Sequence, residues 1–337
     1  MSKIPARAIV HSQIWITLAA MAEGTDKKTQ EKLLELLNLP NDASLRQKYY
    51  QIATSRVVPD SISVTEIRAF VVDENSSING TWLDFVSKNN LLDVVKAPIK
   101  INPDATKNEI KRIIEADLQT LDISGNSVLL DSIDYYTFCS TIFADAVIER
   151  SPFYSQSGDL LGTVDLMMVK RRARLGFVKS MNSKILELKI GSKYRIIFLI
   201  LLERDEITRL VANIQDDILF EMFESFEENS TMVDIGIPRL KVTSEVNVKA
   251  VLQDLGIGSL WTDPEATKYI STPPALPSSY IQRATLTLNN YGPTKRQGQS
   301  SGLESEFIVN QPFLFGLFDM ETNTPLVTMA CSVPTYR

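Results

Sequence analysis

Hydrophobic positions along this chain change period from segment to segment, and the changes mark out the elements. From His11 to Glu23 apolar residues fall at helical spacing, with Gly24 placed to end the helix. A second helix is expected from Thr25 to Leu37, stopped by Asn38-Leu39-Pro40. The alternation between Ser63 and Asp73 is muddled until Phe70-Val71-Val72 reads as strand. Gly80 to Val86 opens a helix, Val94 to Ile101 reads as a strand ending near Asn102-Pro103, and Asp104 to Leu118 reads as a charged amphipathic helix with Ile110, Ile113 and Ile114 on one face. Ser127 to Phe138 returns to strand. Ile196 to Leu202, the longest apolar run, fits a buried central strand.

Near the C-terminus β-branched and apolar residues alternate from Ala284 to Leu288, and a second strand is expected over Phe307 to Phe315. Between them, from Pro293 to Gly302, there is no large apolar residue. Glycines, a proline, two adjacent cations and amides fill the segment, so it is presented to solvent rather than packed. Strand-rich and helix-rich pieces interleave without βα regularity and no long period recurs, so the fold class is α+β in one domain, residues 1–337, with 293–302 as an exposed loop.

Composition narrows the function. A chain of 337 residues is long enough to bury about three quarters of its unfolded surface. The net charge of −6 gives no nucleic-acid footprint, and no apolar run is long enough to span a bilayer. The single imidazole, His11, opens an apolar helix, and Cys139 and Cys331 lack zinc spacing, so no nucleophilic dyad, metal set or cofactor loop is expected and the chain reads as a non-enzyme. Both cysteines are expected to be buried and structural. Asn75, Asn79 and Asn229 sit in glycosylation acceptor triplets, which suits a secreted glycoprotein, although Met1 to Pro5 lacks the apolar core of a signal peptide. The cluster Lys170, Arg171, Arg172 and Arg174 reads as a solvated turn between two strands, or as a site for a polyanion.

The stretch Phe307-Ile308-Val309-Asn310-Gln311-Pro312-Phe313-Leu314-Phe315, followed by Asp319, Pro325-Leu326-Val327 and Val333-Pro334, resembles the C-terminal signature of the serpins, a family of protease inhibitors. Val164 to Val169 with Leu175 to Val178, the order of segments from Ile237 to Trp261, and the helix at His11 resemble the same family. The resemblance implies an insect-type member with a large mixed sheet, further sheets, about eight helices, and the family's first helix missing. It also implies that Pro293, Thr294, Lys295, Arg296, Gln297, Gly298, Gln299, Ser300 and Ser301 form a reactive-centre loop. Asn289, Asn290, Tyr291 and Gly292 stand where the family has its hinge. Local alignment puts Trp15 at the second serine of the sheet-opening region and Gln282 at its histidine, with its asparagine near Ser132, the breach tryptophan near Ser140 and the hinge glutamate near Asn290.

In that family the cleaved arm of the loop enters the main sheet as a new strand. Such an arm needs about a dozen residues, ~40 Å of extended chain, whereas Gly292 to Gly298 spans only ~20 Å. Pro293 would remove a ladder donor, and Lys295-Arg296 would carry charge inward. Two functions follow. One is a monomeric inhibitor that offers this short loop to a papain-like cysteine protease or a trypsin-like serine protease without full insertion. The other is a non-inhibitory serpin acting as a carrier, chaperone or binding module.

Overall fold

The computed structural model describes residues 7–55, 62–138, 142–202, 216–290 and 305–334. Capping residues set the helix starts. In α1 (His11–Ala22) no side chain caps the first turn, whereas Asp26 accepts from the Thr29 amide to start α2 (Lys27–Leu36). Asp42 accepts from the Ser44 and Leu45 amides to start α3 (Ala43–Thr54), a helix that apolar periodicity did not mark. Asn79 does the same for α4 (Gly80–Lys88), and Asn102 with Pro103 for α5 (Pro103–Ile114). The later helices are α6 (Asp216–Glu224), α7 (Val248–Asp254) and the single turn α8 (Ser259–Thr262).

The first strands are β1 (Arg7–Ile9), β2 (Ile62–Asp73), β3 (Ser77–Ile78), β4 (Asp93–Ala97), β5 (Ser127–Phe138), β6 (Val147–Tyr154), β7 (Leu160–Val178), β8 (Ser183–Ile190) and β9 (Tyr194–Leu201). They are followed by β10 (Thr231–Pro238), β11 (Leu240–Asn247), β12 (Ser271–Thr272), β13 (Pro277–Asn289), β14 (Ser305–Ile308), β15 (Phe313–Asp319) and β16 (Pro325–Cys331). Five strands form one sheet in the order β11-β13-β5-β2-β4. Nine form another in the order β1-β16-β15-β9-β8-β7-β10-β14, with β6 on β7, while β12 and β3 pair alone.

Period-two alternation sorts the five-stranded sheet into two faces. Val71, Val128, Leu130 and Ile281 point out and are covered by Ile110 and Ile114 of α5. Phe70, Leu129 and Tyr280 point in, against α1 and α2. Further along the same inner face, Ile133, Tyr135, Ala284, Leu286 and Leu288 pack on Phe198, Phe313, Phe315 and Val327 of the nine-stranded sheet. The inner face therefore carries two apolar cores end to end.

The structure departs from the sequence pattern in four places. The basic run lies inside the 19-residue β7 rather than in a turn, with Ala173 to Lys170 paired to Thr231 to Asp234 of β10. The run contains none of the Gly, Pro, Asn or Asp that a tight turn uses. The expected strand over 307–315 is two strands in different places, β14 parallel to β10 and β15 antiparallel to β9. The break falls where Pro312 lacks a donor and the Asn310 carbonyl accepts from Tyr154. The helix expected to Leu118 stops at Ile114, because Glu115 takes a left-handed φ of 51° and the Gln119 and Thr120 amides then bind the Glu245 carboxylate at 2.9 and 2.6 Å. The strand expected to Ile101 stops at Ala97, and the chain turns there with the Lys100 amide on Asp73. Gly24 is needed for close approach rather than for a left-handed cap: a Cβ there would lie 2.5 Å from Ile270 and 2.7 Å from Trp82.

Candidate functional site

In the middle of the five-stranded sheet β5 and β13 run parallel and bond directly, Val128 opposite Ser279 through Phe138 opposite Asn289. Nothing lies between them over that length. Parallel ladders are slightly weaker per residue than antiparallel ones, and both other neighbours of this pair, β2 and β11, are antiparallel. The seam between β5 and β13 is thus the parallel joint in the interior of this sheet; the other parallel pairing, β2 with β4, lies at its edge.

One row of polar side chains crosses the sheet at this seam, between the two apolar cores. Arg68 on β2, Asp131 on β5 and Gln282 on β13 are direct cross-strand neighbours, so all three point to the same inner face. The segment leading into α1, and α1 itself, touch each of them. Arg68 donates to Gln13 Oε1 at 3.0 Å, Thr17 donates to Asp131 at 2.6 Å, and Gln282 both accepts from the Val10 amide and donates to its carbonyl, at 3.0 and 2.8 Å. Tyr280 donates to the other Asp131 oxygen at 2.6 Å. On β11, Ser244 repeats the two-way bond with the backbone of Ala8. Burial of the Asp131 carboxyl pushes its pKa up to about 6, against the opposing pull of the Thr17 and Tyr280 hydroxyls and of Arg68. The Tyr280 hydroxyl is held well above its ordinary value by burial and by Asp131, so it remains a donor.

Of the residues that the local alignments named, one lies in this row and two do not. Gln282 is in the row. Ser132, next to Asp131, points to the opposite face of the sheet, because one step along a strand reverses the side chain. Trp15 faces away from the sheet, its indole donating to the Leu37 carbonyl at 3.0 Å and its ring edge-on to Tyr50. Gln13 and Thr17, one helical turn apart, take the sheet side instead. The sequence signal for Asp131 was present, a lone carboxylate in the apolar run Val128 to Ile133, but nothing local supplied its partners.

Past the seam β13 ends in two buried asparagines. Arg239, between β10 and β11, donates to Asn289 Oδ1 at 2.8 Å, and Asn290 is 7% exposed. The chain resumes at Ser305 on β14, in the other sheet. Tyr291, Gly292 and the whole of Pro293 to Ser301 lie outside the described residues, as do Cys139 and Ser140.

The other expected sites have plain placements. Asn75, Asn79 and Asn229 are exposed. Arg171 pairs with Asp145, Arg172 donates to the Ser230 carbonyl, and Arg174 lies over the Phe226 ring and pairs with Glu187 at 3.0 Å, so the arginines of the cluster are engaged within the fold. Cys331 is buried, and burial pushes its thiol up to about 12. His11 bonds Thr328 at 3.0 Å. Among the described residues no three His, Cys, Asp or Glu side chains gather as a metal set, and no helix is long and apolar enough to cross a membrane. A cavity of about 380 Å³ opens beside Arg68, with Gln13, Glu66, Tyr135 and Leu326 in its wall.

Comparison with known proteins follows the same outline. The family profile described as Serpin (serine protease inhibitor) matches residues 8–333. Antichymotrypsin-2 of Bombyx mori is 24% identical over 333 residues, covering 92% of this chain and 86% of its own. Antitrypsin of the same organism is 25% identical over 309 residues, covering 86% and 76%. Among solved structures, uncleaved ovalbumin superposes with a TM-score of 0.82 at 19% identity, covering 98% of this chain and 93% of its own. The serine protease inhibitor serpin-12 of Manduca sexta superposes with a TM-score of 0.80 at 16% identity, covering 100% and 95%.

Proposed function

The chain belongs to the serpin family, and from that membership we propose that it is a protease inhibitor that offers residues 293–302 of a single domain, 1–337, to its target protease. The observation that carries this reading is the closed seam. β5 is bonded directly to β13 up to Asn289, and β14, from Ser305, belongs to the other sheet, so the two ends that flank the segment are each anchored in a sheet. A peptide tethered at both ends loses less entropy on entering a protease cleft than a free one, which is how preorganised inhibitors gain affinity.

Lys295 and Arg296 suit an acidic specificity pocket, which favours a trypsin-like serine protease or a papain-like cysteine protease as target. The names of the silkworm relatives, antitrypsin and antichymotrypsin, support protease inhibition as the general activity. The hinge, Asn289 to Gly292, bears on whether the loop also inserts. Asn289 is tied to Arg239, and Asn290 is buried. This packing favours a loop that blocks without full insertion, and it also favours the second reading, a non-inhibitory binding or carrier module.

Incubation with papain and with trypsin, followed by denaturing gels and a dilution assay of residual protease activity, separates the two. Loss of protease activity, reversible or through a gel-stable complex, is the expected outcome. Rapid cleavage between residues 293 and 302 with both enzymes untouched would replace inhibition by the second reading. Mass spectrometry of the products locates the cut bond.

A further inference from the structure

We propose that the Asp131 carboxyl is a proton-operated latch on the β5–β13 seam, which holds the two strands together when neutral and eases their separation when charged. The inference concerns the sheet alone and does not rest on the inhibitory reading.

Asp131 is 1% exposed and sits one strand from each neighbour that could answer its charge. From α1 it meets Thr17, with Gln13 one turn before. From β13 it meets Tyr280, with Gln282 directly opposite. From β2 the charged groups are Arg68, directly opposite, and Glu66. Arg68 is the only cation in this set, and its donors are already given to Glu66 at 3.0 Å, Gln13 at 3.0 Å, and the carbonyls of Leu91 and Asn90 at 2.8 and 3.2 Å. A charged Asp131 therefore has two hydroxyl donors and no cation of its own. Apolar residues, Leu129 and Ile133, flank it on the same face of β5.

A neutral carboxyl leaves the row without an unanswered buried charge. An ionised one is best solvated if water reaches it, and water reaches it by parting β5 from β13. In the closed sheet burial holds the carboxyl up to about 6, while in an opened, hydrated sheet it returns toward 3.8. Between those values the closed form keeps a proton that the open form has released, so closure weakens as pH rises through the window and levels off above about 6. The two values imply that the opening equilibrium grows on the order of a hundredfold across it. The cavity beside Arg68 brings solvent space to within one strand of the latch.

Hydrogen–deuterium exchange on the intact chain tests this. Backbone amides of β5 and β13, each corrected for its intrinsic rate, are compared at pH 4.5 and 7.5 with amides of β9 and β15 as the internal reference. The expected result is that seam protection falls ten- to a hundredfold more than reference protection, and that Asp131→Asn abolishes the difference. Equal pH dependence in Asp131→Asn, a flat seam in the wild-type chain, or seam and reference moving together would each overturn the latch. If Asp131→Asn does not fold, Thr17→Val carries the test. It removes a donor that stabilises the charged form, so the midpoint must move to higher pH, and an unmoved midpoint refutes the proposal. No protease enters the measurement, so failure to inhibit papain or trypsin leaves its outcome intact.

Discussion

Single side chains in this fold are held by partners distant in sequence, and the energetic consequences are specific. Arg46 forks onto Glu23 at 2.6 and 3.1 Å, Tyr50 donates to the same carboxylate at 2.7 Å, and the pair is largely shielded, with 6% and 12% of the two charged side chains exposed. Removing one partner strands the other, so Glu23→Ala should cost ~3–5 kcal/mol in urea unfolding, far more than an exposed pair such as Lys27–Glu31 would. Gly24→Ala should cost ~1–3 kcal/mol by the same measurement, because the new methyl meets Ile270 and Trp82 inside contact distance. A helix-stop residue alone would predict a smaller effect. Asp131, with its pKa raised to about 6, should make the wild-type chain lose ~2 kcal/mol of stability relative to Asp131→Asn between pH 4 and pH 7. Its unusual place in an apolar strand was readable; Thr17 and Tyr280 as its partners were not, since they come from 114 and 149 residues away.

Elements were legible where their own residues decided them. The β9 run, buried at every position, is where the apolar pattern put it, since a central strand needs no polar face. Ends were less legible. The break at Pro312, the stop at Glu115 and the continuity of β7 through four cations depend on which strand or carboxylate lies alongside. Glu187 on β8 shows what such neighbours do: its carboxylate takes Arg174 of β7 at 3.0 Å and Arg195 of β9 at 2.9 Å, linking three strands. With 1% of that side chain exposed, Glu187→Ala should lower stability by ~3–5 kcal/mol, read as a fall in the urea midpoint with unchanged slope. Residues 293–302 make their own prediction. If cleavage between residues 293 and 302 leaves too short an arm to complete the seam, the melting midpoint should rise by less than ~10 °C. A rise of tens of degrees would mean that the arm enters between β5 and β13 after all.

At the scale of the whole molecule, two apolar cores share one sheet face, and a polar row divides them at the parallel β5–β13 seam. In the latch proposed above, parting the seam and releasing the Asp131 proton are coupled in one place. The exposed acceptor asparagines bear on the compartment: when the chain is made through a secretory route, replacing Asn75, Asn79 or Asn229 by Gln should each remove one glycan step on a gel. The Asn79 change should also cost ~1 kcal/mol, because that side chain caps α4. By itself the amino-acid sequence determined the α+β class, the family signature, the buried runs and the polar character of residues 293–302, because each follows from residues adjacent along the chain. Only the tertiary structure decided which strands became neighbours, which face each side chain took and which carboxylate lost its water. Those outcomes depend on contacts between residues more than a hundred positions apart, and a one-residue step, as between Asp131 and Ser132, reverses them.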